Sequence, residues 1–459
     1  MGTGERLRAY FDVEEQGSDV RTELIAGITT FLAMSYIILV NPTILAEAIT
    51  VEGYSTQEVQ QMIAIATIVA AVVATLVMAL YARRPFALAP GMGLNAFFAF
   101  TVVLGLGVPW QTALAAVFVE GLIFIAITAV GARKYVIELF PEPVKFSVGA
   151  GIGIFLLFIG LQEMQLVVAD EATLVTLGDV AANPVAGLGV IGLVATFVLW
   201  ARGIKGAIVI GIVGTALTGW LLTFVGVFER GVVTPETLAS PQYDITPLAG
   251  AFIDGLADID PLTFTLVVFT FFFVDFFDTA GTLIGVSQFG GFLDEEGDLP
   301  EIEKPLMADA IGTTVGAMLG TSTVTTFIES STGIEEGGRT GLTALVVSAL
   351  FLLSIVAVPL IAAIPAYASY LALVVVGIIM LQGVLDIHWD DPAWAVSGGL
   401  TITVMPLTYS IANGLAAGII AYPVIKAAMG DSGNVRLGQW ALAAALVGYF
   451  YVQTSGMLL

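Results

Sequence analysis

The feature that most constrains this chain is a series of apolar stretches, each about 20 residues long, separated by short polar breaks. A helix of about 20 apolar residues is what crosses the roughly 30 Å hydrocarbon core of a bilayer. Hydrophobic residues make up 58% of the chain and charged residues 12%, and the mean hydropathy is +0.96. Such values exclude a water-soluble enzyme. The sequence therefore predicts an all-α polytopic protein of the cell membrane, with residues 1–459 forming a single membrane domain.

The apolar pattern predicts fourteen transmembrane segments. With the N-terminus in the cytoplasm, all of the 15 lysine and arginine residues except Arg230 fall on the cytoplasmic side, as the positive-inside rule requires. The predicted spans are Thr22–Val40, Met62–Ala82, Phe86–Leu106, Gln111–Val130, Phe146–Leu161, Pro184–Trp200, Ala207–Phe228, Leu262–Gly290, Leu306–Leu319, Thr321–Gly337, Leu342–Ala363, Tyr370–Leu385, Ala393–Thr408 and Ile411–Ala428.

A polar stretch divides these spans into two sets of seven. The first repeat covers about residues 20–228 and the second about residues 262–430. An odd number of spans in each repeat makes the two repeats inverted relative to each other. The short apolar run Trp440–Val452 stays open between an interfacial helix, a fifteenth span and a different division of Ala393–Ala428.

Several functions are excluded by what the composition lacks. The chain has no cysteine, and His388 is its one histidine, in a polar loop, so we expect no metal site and no cofactor. No nucleophile stands beside a base, so we expect no catalytic residues and no enzyme activity. No nucleic-acid partner is expected. The net charge of −23 favours a halophilic archaeal source, because a strongly acidic exterior keeps a protein hydrated at high salt.

The third span of each repeat is interrupted. Residues 85–95, which precede and begin the span Phe86–Leu106, contain two prolines and two glycines that break a helix at membrane depth. Thr321–Gly337 begins with a β-branched run that prefers extended backbone, followed by serines typical of a helix start. Each segment therefore predicts a short strand followed by a half-helix. Paired interruptions of this kind mark the central site of a transporter.

Acidic side chains at membrane depth mark the same region. An acid at the bilayer centre costs about 2.5 to 3.5 kcal/mol, so Asp275, Asp278 and Glu329 call for a cavity or a proton. Structural alternatives are pairing with neighbours or capping of a broken helix. Glu120 and Asp309 are weaker candidates, since a lone acid in an apolar run is at least as often a hydrogen-bonding partner between helices. Asn95 is either a helix cap or an amide that both donates to and accepts from a solute.

These segments resemble the hypoxanthine/adenine/guanine branch of the nucleobase/cation symporters. The resemblance covers nearly the whole chain, and the combination of motifs is more specific than any one of them. The motifs are Arg21 to Pro42, Pro90 to Phe98, Asp275 to Thr282, Gly320 to Ser330 and Glu335 to Thr343.

The resemblance implies a core domain of spans 1–4 and 8–11 and a gate domain of spans 5–7 and 12–14. It implies that the core moves against the gate, by an elevator-like or rocking motion, to import a small-molecule purine base with H⁺, and that the protein forms a homodimer in the lipid bilayer. By position in the motifs, Asp275, Glu329 and Asn95 would bind substrate, while Asp278 would serve transport and proton coupling together with Glu329 and Asp275.

The chemistry of a purine base suits these residues. Carboxylates accept from ring N–H and amine groups, and guanine can donate twice to one carboxylate. The half-helix beginning after Ile328, like that after Pro90, would point free N–H groups at ring acceptors. Phe31, Phe273 and Phe327 could offer stacking faces, although most phenylalanines in such a chain serve packing.

Two other functions stay open. A xanthine or uracil permease of a sister branch would differ in the Asp275/Asp278 motif and in competition between bases. An anion exchanger or channel on the same architecture is less compatible with three acids near the site, because anion sites use helix N-termini and cations.

Overall fold

The structure is a computed structural model that describes residues 8–132, 139–257, 259–294 and 299–454, of which residues 449 and 452–454 are described by their backbone alone. The elements of the first half are α1 (Val20–Met34), α2 (Ile37–Leu45), α3 (Thr56–Val77), β1 (Leu88–Pro90), α4 (Met92–Ala96), α5 (Trp110–Ala129), α6 (Glu142–Glu163), β2 (Val167–Asp170), β3 (Leu174–Leu177), α7 (Pro184–Ala201) and α8 (Ala207–Phe224). Those of the second half are α9 (Phe252–Gly255), α10 (Pro261–Gly290), α11 (Glu303–Leu319), β4 (Val324–Thr326), α12 (Ser330–Glu335), α13 (Gly341–Ser354), α14 (Ala366–Met380), α15 (Pro392–Leu407), α16 (Ile411–Ala428) and α17 (Leu437–Thr454).

Four helices change type along their length. The π-helical turns Met78–Ala82 extend α3, and Phe97–Gly105 extends α4 in the same way. The 3₁₀ turns Ile355–Ala363 extend α13 and Leu381–Asp386 extend α14. The extensions of α4, α13 and α14 lengthen short α-helices towards the thickness of a bilayer, whereas α3 already has 22 residues.

The predicted fold class is confirmed. Ten helices among the described residues are long and apolar enough to cross a membrane. The other predicted spans are occupied by α11, by α15 and by two segments that join a short strand to a short helix, at β1–α4 and β4–α12. The run Trp440–Val452 lies in the helix α17, whose apolar part, Leu437–Gly448, is shorter than a span.

The two interrupted segments meet as an antiparallel pair of strands. Leu88 lies opposite Thr326, and Pro90 lies opposite Val324. Pro90, which has no N–H to donate, stands at the end of its strand. The antiparallel pairing of two strands from the same position in each half is what inverted repeats would produce.

A threonine from a neighbouring helix completes the hydrogen bonding of each strand. Leu88 N–H donates to Thr75 Oγ1 at 3.0 Å, and the Thr75 hydroxyl donates back to Leu88 O at 3.1 Å. Val324 and Thr313 repeat the arrangement at 3.1 and 2.9 Å. Backbone groups inside a bilayer have to be paired within the protein, and these hydroxyls pair groups that the two-stranded ladder leaves open.

The second half-helix is short. α12 has six residues, because Gly337 follows it with a positive φ of 102°, a conformation that ends helices. Its dipole is correspondingly small. The first half-helix, α4, continues through its π-helical turns to Gly105.

Contacts along the chain divide it into two compact units. The first contains residues 1–129 and 160–375, and it includes both interrupted segments. The second contains residues 130–159 and 376–459. Within the second unit, α15 and α16 approach closely because Gly418 leaves room for Thr401 and Gly414 leaves room for Met405.

A buried carboxylate ties the first span to the eleventh. Glu23 accepts hydrogen bonds from the N–H groups of Arg339, Thr340 and Thr343 and from the Thr343 hydroxyl, at 2.6 to 3.3 Å. The carboxylate thus satisfies free N–H groups at the start of α13. Sequence reasoning did not single out this residue.

We expect Glu23→Ala to lower the free energy of unfolding by about 3 kcal/mol or more, because buried donors lose a charged acceptor. Thermal denaturation in detergent measures the effect. Glu171→Ala is the matched control, since Glu171 is exposed in the turn between β2 and β3. Equal stabilities of the two variants would contradict the role of Glu23.

Candidate functional site

Glu329 stands between β4 and α12 and is held by a tyrosine of the first span. The Tyr36 hydroxyl donates to Glu329 Oε1 at 2.6 Å. Tyr36 is fully buried, in the break between α1 and α2, whereas Glu329 is partly exposed. A short charge-assisted hydrogen bond fixes the carboxylate, which keeps acceptor capacity for a ligand.

Asp278 is the acid of α10 that interacts electrostatically with Glu329. Asp278 is partly exposed, and its Oδ2 lies 3.5 Å from the hydroxyl of Thr325 in β4. Asp278 and Glu329 thus bring two carboxylates to the end of the strand pair.

Asp275 lies deeper, in what we call the buried carboxylate cluster: Glu120 of α5, Asp275 of α10 and Asp309 of α11. All three side chains are fully buried, and Asp275 interacts with Glu120. Among the described residues, no hydroxyl or N–H group donates to either carboxylate oxygen of Glu120 or to Oδ1 of Asp275 and of Asp309, and the carboxyl groups of Glu120 and Asp275 face each other within hydrogen-bonding reach. The structure therefore brings together the two acids that the sequence ranked as weaker candidates and one that it ranked as a binding residue.

The buried carboxylate cluster has threonine hydroxyl groups on one side. The Thr279 hydroxyl donates to Asp309 Oδ2 at 2.9 Å, and the Thr313 hydroxyl lies 3.5 Å from Asp275 Oδ2. Helices α5 and α10 carry no lysine, arginine or histidine, and the basic residue of α11, Lys304, pairs with Glu301. Carboxylates buried together without a cation repel one another, so such a cluster is stable only when it shares protons.

The Asn95 side chain links the two interrupted segments by hydrogen bonds. Its Oδ1 accepts a hydrogen bond from the Ser322 hydroxyl, and its Nδ2 donates to Pro90 O at 3.4 Å. Asn95 is fully buried. One amide hydrogen and one lone pair remain for a ligand, so substrate binding by Asn95 stays a prediction.

Ile328 and Phe327, which precede Glu329, differ in exposure. The Ile328 side chain is 45% exposed, next to Glu329. Phe327 is buried, its N–H donates to Ala87 O, and its ring centroid lies 6.5 Å from that of Tyr36. Phe327 therefore packs against the residue that holds Glu329.

Phe31 and Phe273, which were the other candidates for stacking on the base, pack against neighbouring phenylalanines. Phe31 contacts Phe351 edge to face at 5.2 Å, and Phe273 stacks on Phe269 one turn earlier in α10. His388 is exposed, stacked on Trp394, as expected of a surface residue.

The residues that sequence reasoning missed are uncharged. Tyr36, Thr279 and Thr325 contact the predicted acids through side-chain hydroxyls. The break in the first span at Ser35-Tyr36 is the signal that could have drawn attention to Tyr36. Within residues 8–132, 139–257, 259–294 and 299–454, no three His, Cys, Asp or Glu side chains are arranged to hold a metal ion.

Comparisons with known proteins agree on a class of transporter. The sequence model of the permease family that takes its name from xanthine and uracil permeases matches residues 21–417. The chain is 39% identical to the adenine permease AdeP of Escherichia coli, over 92% of this chain and 91% of that protein. It is also 39% identical to the guanine/hypoxanthine permease PbuG of Bacillus subtilis, over 97% and 99% of the two chains.

Solved structures show the same fold at low sequence identity. The transmembrane domain of the cyanobacterial bicarbonate transporter BicA matches with a TM-score of 0.57 and 16% identity, over 88% of this chain and 97% of that one. This similarity extends to the architecture alone, because one fold serves many substrates.

Proposed function

We propose that this chain, which belongs to the permease family nucleobase/cation symporter 2, imports purine bases by proton symport. Membership of this family makes the chain a multi-pass membrane transporter rather than an enzyme. The observation that carries the proposal is the partly exposed pair Asp278 and Glu329 at the end of the two interrupted segments. The purine permeases at 39% identity support the substrate class.

Glu329 is the primary acceptor for the base. Purine bases present ring N–H groups, and guanine and adenine also present an amine, and a carboxylate accepts from these donors without offering any of its own. Tyr36 holds Glu329 in one orientation, so little entropy is lost on binding. The start of α4, where Gly91 provides no side-chain cap, directs backbone N–H groups to the acceptors of the ring.

Proton coupling follows from the nearness of the two acids. A bound base stabilises Glu329 as an anion, and that anion repels a second negative charge on Asp278. A proton on Asp278 removes the repulsion, so base and proton are taken up together. Asp275 supports the site from the buried carboxylate cluster.

The large movement that carries the site across the membrane is part of the same proposal. A core of spans 1–4 and 8–11 moves against a gate of spans 5–7 and 12–14, in a homodimer, by an elevator-like or rocking motion. The interrupted segments belong to the core by this division.

The second candidate, an anion exchanger, rests on the fold shared with the bicarbonate transporter. An anion would meet the carboxylates of Asp278 and Glu329, and α5 and α10 supply no cation to offset them. A purine base, which is neutral and rich in donors, suits the site better.

Uptake of radiolabelled hypoxanthine by purine-uptake-deficient cells tests the function. We expect saturable uptake that adenine and guanine block, that uracil does not, and that is lost in Glu329→Ala and Asp275→Ala. Uptake of uracil in preference to purines would favour a sister branch. A well-expressed protein that moves no base would contradict the proposal.

A further inference from the structure

A continuous row of side-chain oxygens connects Asp278 to the buried carboxylate cluster. Asp278 Oδ2 lies 3.5 Å from Thr325 Oγ1, which lies 2.7 Å from Thr279 Oγ1, which in turn lies 2.9 Å from Asp309 Oδ2. The row begins at a partly exposed acid and ends at a fully buried one.

The number of hydrogens in this row determines the protonation state in which all of its contacts are hydrogen bonds. The row has three contacts, and Thr279 and Thr325 supply one hydroxyl hydrogen each. The third hydrogen has to come from a carboxyl group at one end, so all three contacts are hydrogen bonds only when Asp278 or Asp309 carries a proton. The row is then complete in either of two orientations, which differ in the end that holds the proton.

The buried end has room for a proton. Four carboxylate oxygens of the buried carboxylate cluster accept no hydrogen bond from a hydroxyl or N–H group of the described residues, although every side chain in the cluster is fully buried. The titratable groups that face the row are Asp278, Glu329 and Tyr36 at the site end and the three acids of the cluster at the other end. Lys304 of α11 pairs with Glu301 instead.

We propose that Thr279 and Thr325 form a proton path between Asp278 and the buried carboxylate cluster. A proton that reaches Asp278 passes to Thr325 as the Thr325 hydroxyl releases its own proton to Thr279, and Thr279 releases its proton to Asp309. Each hydroxyl gains one hydrogen and loses one, and the net change is a proton moved from Asp278 to Asp309. The path rests on the proposed function, and it assigns the resting place of the coupled proton to residues behind the binding site.

The test uses the full chain in liposomes and separates two kinds of transport. Exchange of internal for external labelled hypoxanthine needs base binding and movement but no net proton transfer. Accumulation driven by an imposed pH gradient needs both. We expect Thr279→Val to lower gradient-driven accumulation about a hundredfold, the loss typical of a missing proton-transfer group, and to leave exchange within about twofold.

Two further variants make the test specific. Thr279→Ser keeps the hydroxyl and is expected to accumulate hypoxanthine like the wild type. Thr270→Val, on the same helix, removes a hydroxyl that donates to Leu266 O within α10, and it is expected to change neither kind of transport. Exchange by each variant also reports that the protein is folded.

Three outcomes would overturn the proton path. They are gradient-driven accumulation by Thr279→Val at the wild-type level, equal losses in Thr279→Val and Thr279→Ser, and equal losses of exchange and accumulation in Thr279→Val. Absence of hypoxanthine exchange by the wild type would instead contradict the proposed function, so the two failures are distinguishable.

Discussion

Glu329→Gln is expected to weaken hypoxanthine binding about a hundredfold, because the side-chain amide presents N–H groups to a base that is itself a donor at that edge. The substitution keeps the size of the side chain and leaves an oxygen that can still accept from Tyr36. The loss of affinity therefore measures the charge and acceptor capacity of the carboxylate, and not the effect of a cavity left by a smaller side chain. Equilibrium binding to purified protein measures the effect.

Glu336→Gln is the matched control, since Glu336 is exposed just after α12. Tyr36→Phe is expected to have a smaller effect, about tenfold, because Glu329 stays in place but loses the hydrogen bond that orients it. If Glu329→Gln bound hypoxanthine as tightly as Glu336→Gln, the carboxylate would not be the acceptor for the base.

Gly91→Ala is expected to lower transport more than tenfold, with an overpacking cost of about 1 to 3 kcal/mol at the strand pair. A Cβ on Gly91 would lie 2.6 Å from Thr325 Cγ2, which is closer than non-bonded carbon atoms approach each other. The backbone of Gly91 has a negative φ of −73°, so alanine fits its conformation and the clash alone is responsible. The initial rate of uptake measures the effect.

The same clash predicts a suppressor. Thr325→Ser removes Cγ2 but keeps the hydroxyl, so Gly91→Ala combined with Thr325→Ser is expected to recover most of the lost transport. Gly214→Ala is the control, because a Cβ there meets nothing within 4 Å. A double variant no better than Gly91→Ala would show that the approach of β1 to β4 at this point is not what limits the single variant.

The span pattern and the interrupted segments were predictable because each depends on residues that are close in sequence. The length of the apolar stretches predicted the helices. The prolines and glycines before Asn95 and the threonines before Phe327 predicted the two strands. The inverted arrangement, the core and gate domains and the halophilic source stay predictions.

What the sequence did not reveal depends on contacts between distant segments. Asp275 and Asp278 are three residues apart, and periodicity alone cannot say which one faces Glu329 and which faces Glu120. Tyr36 is 293 positions from Glu329 along the chain.

We expect the site built from carboxylates to select purine bases on a fold that also serves anion transport. The most direct measurement is uptake by one preparation of liposomes containing the purified protein, with labelled hypoxanthine and labelled bicarbonate tested under the same inward pH gradient. We expect accumulation of hypoxanthine, which is lost in Glu329→Gln, and no protein-dependent entry of bicarbonate. Entry of bicarbonate without hypoxanthine would contradict this expectation.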